Sequence, residues 1–315
     1  MTTTAPSTRQ RIETDGARLG LWRVVVPTRI GPVVARVGRE RGGPATILLH
    51  GAAGSWTTWT PLLATADAAG TPLTDVVAVD LPGWGESPLP ERRDEAGGQA
   101  EPPITVAMMS EAVEDVARAL GYSEWHVIGH SLGGFIALDL AANTPEQTLS
   151  VDLVSGTGRA ILDAVRHPFG GGVKLPWFAG MLLAMRTLSV LGPSARAVLR
   201  WLHGEGVLRW LASPVFASAR AVDDSVVAAL ADEVRPASFV LACRAAAAYD
   251  ERRWSRIVSP VRALHGDRDV FVGPGDGAAF AALIPDFAEV KVAGVGHFAA
   301  VERPEAVLAA VRAVW

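Results

Sequence analysis

The sequence contains a single cysteine, Cys243, among 315 residues. One thiol cannot form an intrachain disulfide, and it cannot build a cysteine-based metal cluster, so both kinds of cross-link are excluded. A chain without disulfides is compatible with a reducing compartment, and we expect a cytoplasmic location.

A strong excess of either charge is also lacking. The chain has 29 Lys and Arg against 33 Asp and Glu, which gives a net charge of -4. Proteins that bind nucleic acid or acidic membranes are commonly marked by a strong basic field. We therefore expect a small-molecule substrate and neither of those two partners, while the oligomeric state cannot be read from the sequence.

Long apolar runs are absent as well. The longest, at 176–191, is interrupted by Arg186 and falls short of the ~20 residues that span a bilayer. No integral membrane segment is predicted. Residues 1–16 are polar and Thr-rich, without the apolar core of a secretory signal, and we expect them to form a loose, disordered tail.

What the sequence does contain is a series of short β-branched runs, each followed by a turn. They predict buried parallel strands at 46–49, 76–79, 126–128, 151–154, 261–264 and 289–292. Helical patterns at 106–120 and 134–142 separate several of the runs, and this alternation predicts a parallel sheet with helices on both faces. Ahead of it, 21–26 and 32–37 predict an antiparallel hairpin that turns near Gly31.

About a hundred residues before the run at 261 lack any strand pattern. Prolines divide them into short helical pieces rich in Leu, Ala and Trp, among them 178–191, 195–202 and 225–234. We predict a helical cap at 157–259, inserted into an α/β core formed by 17–156 and 260–315. A charged, Gly-rich segment at 91–103 predicts an exposed, mobile loop.

The candidate nucleophile is Ser131, in the run Gly129-His130-Ser131-Leu132-Gly133-Gly134 between a predicted strand and a predicted helix. A sharp turn of this kind strains the serine backbone and lifts its hydroxyl clear of the sheet, while the glycines avoid collisions with neighbouring backbone. Free N–H groups at the helix N-terminus can stabilise an oxyanion, and the amide of Leu132 is the first candidate donor. The alternative is a tightly packed turn without chemistry.

A serine nucleophile needs a histidine as base and a carboxylate that orients the histidine. His297 follows the last predicted strand and is the best placed of seven histidines; His50, His130 and His265 border turns and are more typical of structural or pocket-lining roles. Asp267 and Asp269 both follow the strand at 261–264, and an acid near Asp163 is a minority option. The order Ser, Asp, His is the order found in α/β-hydrolases.

Across nearly the whole chain, apart from the tail and the cap, the sequence resembles the capped α/β-hydrolase family. The resemblance rests on the serine turn, on the runs His50-Gly51-Ala52 and Asp80 to Ser87, and on Gly296-His297 followed by Glu302 and Pro304. It implies an α/β-hydrolase fold with Asp269, three residues after Gly266, as the acid. It also implies that the backbone amide of Ala52 is the second oxyanion donor beside Leu132.

The resemblance implies a serine hydrolase that needs no cofactor or metal. Its substrate would be a carboxylic ester, lactone or thioester of an apolar small molecule, cleaved through an acyl-enzyme on Ser131. Family members that dehalogenate or open epoxides carry an aspartate at the position of Ser131, which argues against both activities. A lyase, a cofactor-free peroxidase, a carbon–carbon bond hydrolase, a peptidase and a silent receptor stay open as alternatives on the same framework.

Large apolar side chains of the cap could line a lipophilic tunnel. A stripe of aromatic and Met residues at helical spacing is more often packed core than pocket, so we do not count them among the site residues. The residues concerned are Trp177, Phe178, Met181, Met185, Trp201 and Trp210.

Overall fold

The computed structural model describes residues 10–90, 104–168 and 170–312. Eight strands of this described part of the chain form a single sheet. They are β1 (Leu21–Thr28), β2 (Gly31–Gly38), β3 (Ala45–Leu49), β4 (Val76–Val79), β5 (Trp125–His130), β6 (Thr148–Val154), β7 (Val261–Gly266) and β8 (Phe287–Val292).

The strand order is β1-β2-β4-β3-β5-β6-β7-β8. β1 and β2 pair antiparallel as a hairpin, and β2 runs antiparallel to β4. Every other pairing is parallel. The predicted hairpin and the predicted mostly parallel sheet are therefore confirmed.

Helices cover both faces of this sheet. In chain order they are α1 (Thr60–Ala68), α2 (Val106–Ala119), α3 (Leu132–Asn143), α4 (Arg159–Arg166), α5 (Gly171–Lys174), α6 (Pro176–Val190), α7 (Ser194–Gly204), α8 (Val207–Leu211), α9 (Asp224–Glu233), α10 (Pro236–Ala247), α11 (Asp276–Ala281), α12 (Ala299–Glu302) and α13 (Pro304–Arg312). No helix among the described residues is long and apolar enough to cross a membrane.

Alternate residues of the central strand β5 pack on opposite faces of the sheet. Val127 packs into the cluster that contains Phe135 of α3, whereas Ile128 packs with Leu62 of α1 and Val311 of α13. Successive side chains of a strand point to opposite faces, so a run that is apolar at every position is buried on both sides. The site-bearing turns at the carboxyl ends of the strands thus stand on a rigid core.

The stretch between β6 and β7 contains α4 to α10 and no strand in its described part. The predicted pieces 178–191, 195–202 and 225–234 correspond to α6, α7 and α9. We refer to residues 157–259 as the helical insertion.

The structure differs from the sequence-based prediction at β8. The strand forms where it was predicted and pairs parallel with β7, but it is not buried: its four central residues are exposed. β8 is the last strand of the sheet, and an edge strand is not enclosed by neighbours on both sides.

The predicted loose tail also needs correction, for residues 10–16. The Ile12 amide donates to Ser225 Oγ at 3.0 Å and the Glu13 amide donates to Thr60 Oγ1 at 3.0 Å. The Ile12 side chain packs on an apolar cluster around Phe298. A partly buried apolar side chain and two hydrogen-bonded amides hold this segment in place. The rest of the predicted tail, and the predicted loop at 91–103, lie outside the described residues.

Candidate active site

Ser131 lies in the sharp turn between β5 and α3. Its backbone has φ 51° and ψ -117°, a sparsely populated conformation that costs on the order of 1–3 kcal/mol. Four backbone hydrogen bonds hold the turn in this conformation. The Ser131 amide donates to the carbonyl of Val154, and the Ser131 carbonyl accepts from the amides of Gly134, Phe135 and Thr157.

Two glycines make this turn possible by leaving room for backbone. A Cβ atom on Gly133 would lie 2.1 Å from the carbonyl oxygen of Leu49, and one on Gly129 would lie 2.5 Å from the Gly133 carbonyl oxygen. Contacts this short do not occur, so β3, β5 and α3 could not approach as they do with any side chain at either position. The local sequence therefore dictates the turn on which Ser131 stands.

His297 and Asp269 form a buried pair. The Nδ1 atom of His297 lies 3.0 Å from both carboxylate oxygens of Asp269, and the Asp269 side chain has no exposed surface. An ionised carboxylate can only accept hydrogen bonds, so Nδ1 carries the proton and Nε2 is left as the acceptor. This is the tautomer in which Nε2 can act as a base.

The environment of Asp269 keeps it ionised. Burial alone would raise the pKa of Asp269, but attraction to the His297 ring, the hydrogen bond with it and the Phe271 amide outweigh burial and hold the pKa at about 2. The buried Ser155 hydroxyl adds a smaller contribution in the same direction, although it lies outside normal hydrogen-bond geometry.

The other aspartates considered from the sequence do not meet the histidine. Asp267 Oδ1 accepts from the amides of Gly294 and Val295, so its carboxylate braces the loop that precedes His297. Asp163 lies in α4 of the helical insertion. Of the candidate acids, the structure pairs Asp269 with His297.

Ser131 and His297 line one cavity. The described residues contain no hydrogen bond between the Ser131 hydroxyl and the His297 ring. In resting hydrolases this bond is often long or poorly aligned and tightens when the substrate binds. Ser131 and His297 thus share one cavity, and Asp269 is joined to it through its contact with His297.

The loop after β3 borders Ser131 from the opposite side. A Cβ atom on Gly51 would lie 3.0 Å from the Cβ of Ser131, so the loop backbone approaches the serine directly. Ala52 lines the cavity, and its carbonyl accepts a hydrogen bond from Trp84 Nε1 at 2.9 Å. Leu132 also lines the cavity, and as the first residue of α3 its N–H has no acceptor within the helix.

His50 holds the same loop in place through two hydrogen bonds. Its Nε2 accepts from the Leu81 amide at 3.0 Å, so its Nδ1 carries the proton and donates to the Gly51 carbonyl at 2.7 Å. Burial lowers the pKa of His50, which keeps the ring neutral. The structural role expected for His50 agrees with these contacts.

His130 was expected from the sequence to have a structural or pocket-lining role, and its position agrees with that expectation. It lines the cavity, its ring centroid lies 4.9 Å from that of His297, and its Nε2 lies 3.0 Å from the His297 carbonyl oxygen, to which it donates. Burial, with repulsion from His297, lowers the pKa of His130 to about 3. A neutral ring is thus packed beside His297.

Glu302 connects the histidine loop to the helical insertion. Its Oε1 accepts from the Gly296 amide at 3.0 Å and its Oε2 accepts from the Ala217 amide at 2.7 Å. The His297 amide donates to the Val215 carbonyl at 2.8 Å. Burial raises the pKa of Glu302 to about 7.

The cavity has a volume of about 410 Å³, within the range of small-molecule sites. Its floor consists of the strand-end turns that carry Ala52, Ser131, Phe271 and His297, and its roof consists of the helical insertion. The roof side chains are almost all apolar. They include Ile161, Phe178, Met181, Met185, Leu199 and Leu208.

The sequence could not tell which large cap side chains face the cavity. Trp177, Phe178, Met181 and Met185 line it. Trp201 and Trp210 are not among the lining residues, and both are exposed. Within residues 10–90, 104–168 and 170–312, no group of His, Cys, Asp and Glu side chains is placed to hold a metal ion.

Comparison with known proteins gives partial relatives and full-length structural neighbours. The chain is 35% identical over 144 residues to a dihydrolipoyllysine-residue acetyltransferase component of an acetoin cleaving system from Cupriavidus necator, a match of 44% of this chain and 33% of that protein. It is 27% identical over 161 residues to human epoxide hydrolase 4, a match of 48% of this chain and 41% of that protein. The chain spans less than half the length of these curated relatives.

Among solved structures, the enol-lactonase from Burkholderia xenovorans superposes with a TM-score of 0.65 at 18% identity, covering 92% of this chain and 99% of that one. At this identity the likeness establishes the fold alone. The model of the alpha/beta hydrolase family matches residues 46–310, which include Ser131, Asp269 and His297. The chain therefore belongs to the alpha/beta hydrolase family.

Proposed function

We propose that the protein is a serine hydrolase that cleaves a carboxylic ester, lactone or thioester of an apolar small molecule. The observation that carries the proposal is the placement of Ser131, on a strained turn, in the same cavity as a buried His297–Asp269 pair. Nucleophile, base and orienting acid are the three groups that acyl transfer by a serine requires.

The first half of the reaction transfers the acyl group to the enzyme. Ser131 Oγ attacks the carbonyl carbon while His297 Nε2 removes the hydroxyl proton. The negative charge that develops on the carbonyl oxygen is stabilised by the backbone N–H groups of Ala52 and Leu132. As the bond to the leaving group breaks, His297 returns the proton to the departing alcohol or thiol.

The second half regenerates the enzyme with water. His297 deprotonates a water molecule, which attacks the acyl carbon, and the same two amides stabilise the second oxyanion. The acid product leaves when Ser131 Oγ is reprotonated by His297. Asp269 stays ionised throughout and stabilises the imidazolium, in keeping with its low pKa.

The cavity supports an apolar substrate, with the helical insertion acting as a cap. Phe178, Met181 and Met185 offer no charge and few hydrogen-bonding groups, so an acyl or alkyl chain gains by leaving water there. Family relatives include proteins named epoxide hydrolase. A serine hydroxyl at position 131, rather than a carboxylate, favours acyl chemistry for this chain.

The test is turnover of p-nitrophenyl esters of increasing acyl length by the wild-type protein and by Ser131→Ala. We expect a burst of p-nitrophenol followed by steady turnover, and a fall in kcat on the order of 10⁵-fold to 10⁶-fold in the variant. Ser218→Ala, which changes an exposed serine of the insertion, is the control and should leave kcat unchanged.

Labelling by a fluorophosphonate probe provides a second measurement. The wild type should be labelled and Ser131→Ala should not. A folded wild-type protein that turns over no ester in the series, or label that persists in the variant, would contradict the proposal.

A further inference from the structure

The small net charge of the chain conceals an uneven distribution. The helical insertion carries 13 Lys and Arg against 8 Asp and Glu, a net charge of +5. Since the whole chain has a net charge of -4, the remaining residues carry -9. The excess is concentrated at 170–212, where five basic residues stand against Glu205 alone.

This basic stretch also exposes several large apolar side chains. The first of them lie on α6. Arg186 is the only charged residue of α6. At 100° per residue, its exposed positions span an arc of about 180°. The part from Trp177 through Leu183 to Val190, about 140°, carries no charge, and Arg186 lies at the edge of the arc beyond Val190. A helix with an apolar face toward solvent lacks a partner for that face.

Two more exposed tryptophans lie on α7 and α8. Trp201 is 62% exposed and Trp210 is 73% exposed, beside 56% for Trp177. The inner residues of these helices, Leu199 and Leu208, pack together and line the cavity. Trp201 and Trp210 therefore lie on the side of the insertion that faces away from the cavity.

We call this surface the outer face of the insertion. It comprises Trp177, Leu183, Val190, Leu191, Trp201 and Trp210. Trp177 lies at the border of this face, because it also lines the cavity.

The positive charges around the outer face are incompletely neutralised. Arg196 and Arg200 share the single carboxylate of Asp232, at 3.6 and 2.5 Å. Within the part of the chain that the structure describes, neither Lys174 nor Arg186 forms an ion pair. Arg209 and His203 both contact Asp224.

We propose that the outer face of the insertion docks on an anionic lipid bilayer. Tryptophan is enriched at membrane interfaces because its ring is largely apolar and its N–H remains hydrated. Leu and Val side chains gain by entering the acyl boundary, and uncompensated Lys and Arg are attracted to acidic headgroups. This proposal revises the expectation drawn from net charge, which averages the basic insertion with an acidic core.

The position of the outer face relative to the cavity favours a lipid over other occupants. Trp177 and Leu211 line the cavity and are also exposed by about half of their surface. A bilayer against this face would lie beside the apolar cavity rather than at a distance from it. The docking itself does not depend on the reaction proposed for Ser131.

The experiment is co-sedimentation of the full chain with vesicles of phosphatidylcholine, alone or with about 30 mol % phosphatidylglycerol. Ser131→Ala is the background for all samples, so that hydrolysis of lipid cannot affect the result. We expect at least about tenfold tighter binding to the anionic vesicles, and weaker binding in about 0.5 M sodium chloride, where surface charges are screened. Lys174→Gln and Arg186→Gln should each weaken binding about fivefold.

The double variant Trp201→Ser/Trp210→Ser tests the apolar part, and we expect at least about a tenfold loss of affinity. The matched control is Trp22→Ser, because Trp22 is 49% exposed but lies on β1, outside the insertion. It should bind vesicles like the parent, and circular dichroism should show that all variants are folded.

Three results would overturn the proposal. One is no binding, or equal binding to the two kinds of vesicle. Another is an equal loss of affinity in Trp22→Ser and in the double variant. The third is a dimer in sedimentation velocity that the double variant dissociates, with no vesicle binding, since the face would then be covered by a second copy of the chain.

Discussion

The floor and the roof of the cavity are built by different means. The floor depends on backbone: Ser131 is held in a strained conformation, and Gly133 has no space for a Cβ atom. The roof depends on side chains of short helices, and a Cβ atom on Gly180 of α6 would contact nothing within 4 Å. Groups that must be placed precisely for chemistry therefore lie on the constrained floor, while the groups that would select a substrate lie on the tolerant roof.

The largest expected effect concerns the carboxylate of the floor. In Asp269→Asn the amide can donate to His297 Nδ1, which puts the proton of the ring on Nε2 and removes the base. We expect kcat for an ester to fall on the order of 10³-fold to 10⁴-fold, with little change in melting temperature.

Asp267→Asn is the matched control for that experiment. Its amide oxygen can still accept from the Gly294 amide, as the Asp267 carboxylate does at 2.7 Å, so kcat should change by less than about threefold. Equal losses in the two variants would contradict the assignment of Asp269 as the orienting acid.

A pair of glycine substitutions compares floor and roof directly. Gly133→Ala should lower the free energy of unfolding by about 3–5 kcal/mol or prevent folding, because backbone would have to move away from the new methyl group. Gly180→Ala should raise it by about 0.5–1 kcal/mol, because alanine favours the helix and the space is open. Urea denaturation measures both, and similar losses in the two variants would refute the contrast.

A smaller effect, on the free energy of unfolding, is expected where the helical insertion contacts the α/β core. Glu233 of α9 accepts hydrogen bonds from Ser55 Oγ at 2.8 Å and Thr57 Oγ1 at 2.6 Å, and burial raises its pKa to about 7 despite these bonds. The folded protein therefore binds this proton more tightly than the unfolded chain does. The resulting stabilisation is complete below about pH 4.5 and is lost as the pH rises through about 7.

Glu233→Gln removes that titration. Between about pH 5 and 7.5 the wild type should lose on the order of 1–2 kcal/mol of unfolding free energy relative to the variant. Urea denaturation at a series of pH values measures the difference. Parallel pH profiles for the two proteins would show that the carboxyl is not held protonated by burial.

The features that the sequence predicted well are those that local backbone rules decide. The run around Ser131 requires small residues at fixed positions, so its sharp turn was predicted from the sequence and is present in the structure. The alternation of strands and helices likewise predicted the sheet. The order Ser, Asp, His left two aspartates open, and only the family resemblance favoured Asp269. The structure pairs Asp269 with His297 and gives Asp267 contacts within a loop.

The features that could not be predicted are those set by which neighbouring element covers a given side chain. The exposure of β8 follows from its place at the sheet edge, which strand patterns do not reveal. α6 is apolar on nearly all sides, so periodicity could not tell that Met181 and Met185 face the cavity while Leu183 faces solvent. The docking of Ile12 likewise depends on a surface formed by distant parts of the chain.

The carboxylate of Glu302 has a consequence for how a substrate can reach Ser131. One of its oxygens holds the loop of His297, the other holds Ala217 of the insertion, and Val215 accepts the His297 amide. Residues 215–217 cannot swing outward without breaking these bonds or displacing His297. An entrance that leaves Ser131 and His297 in place must therefore open through another part of the roof.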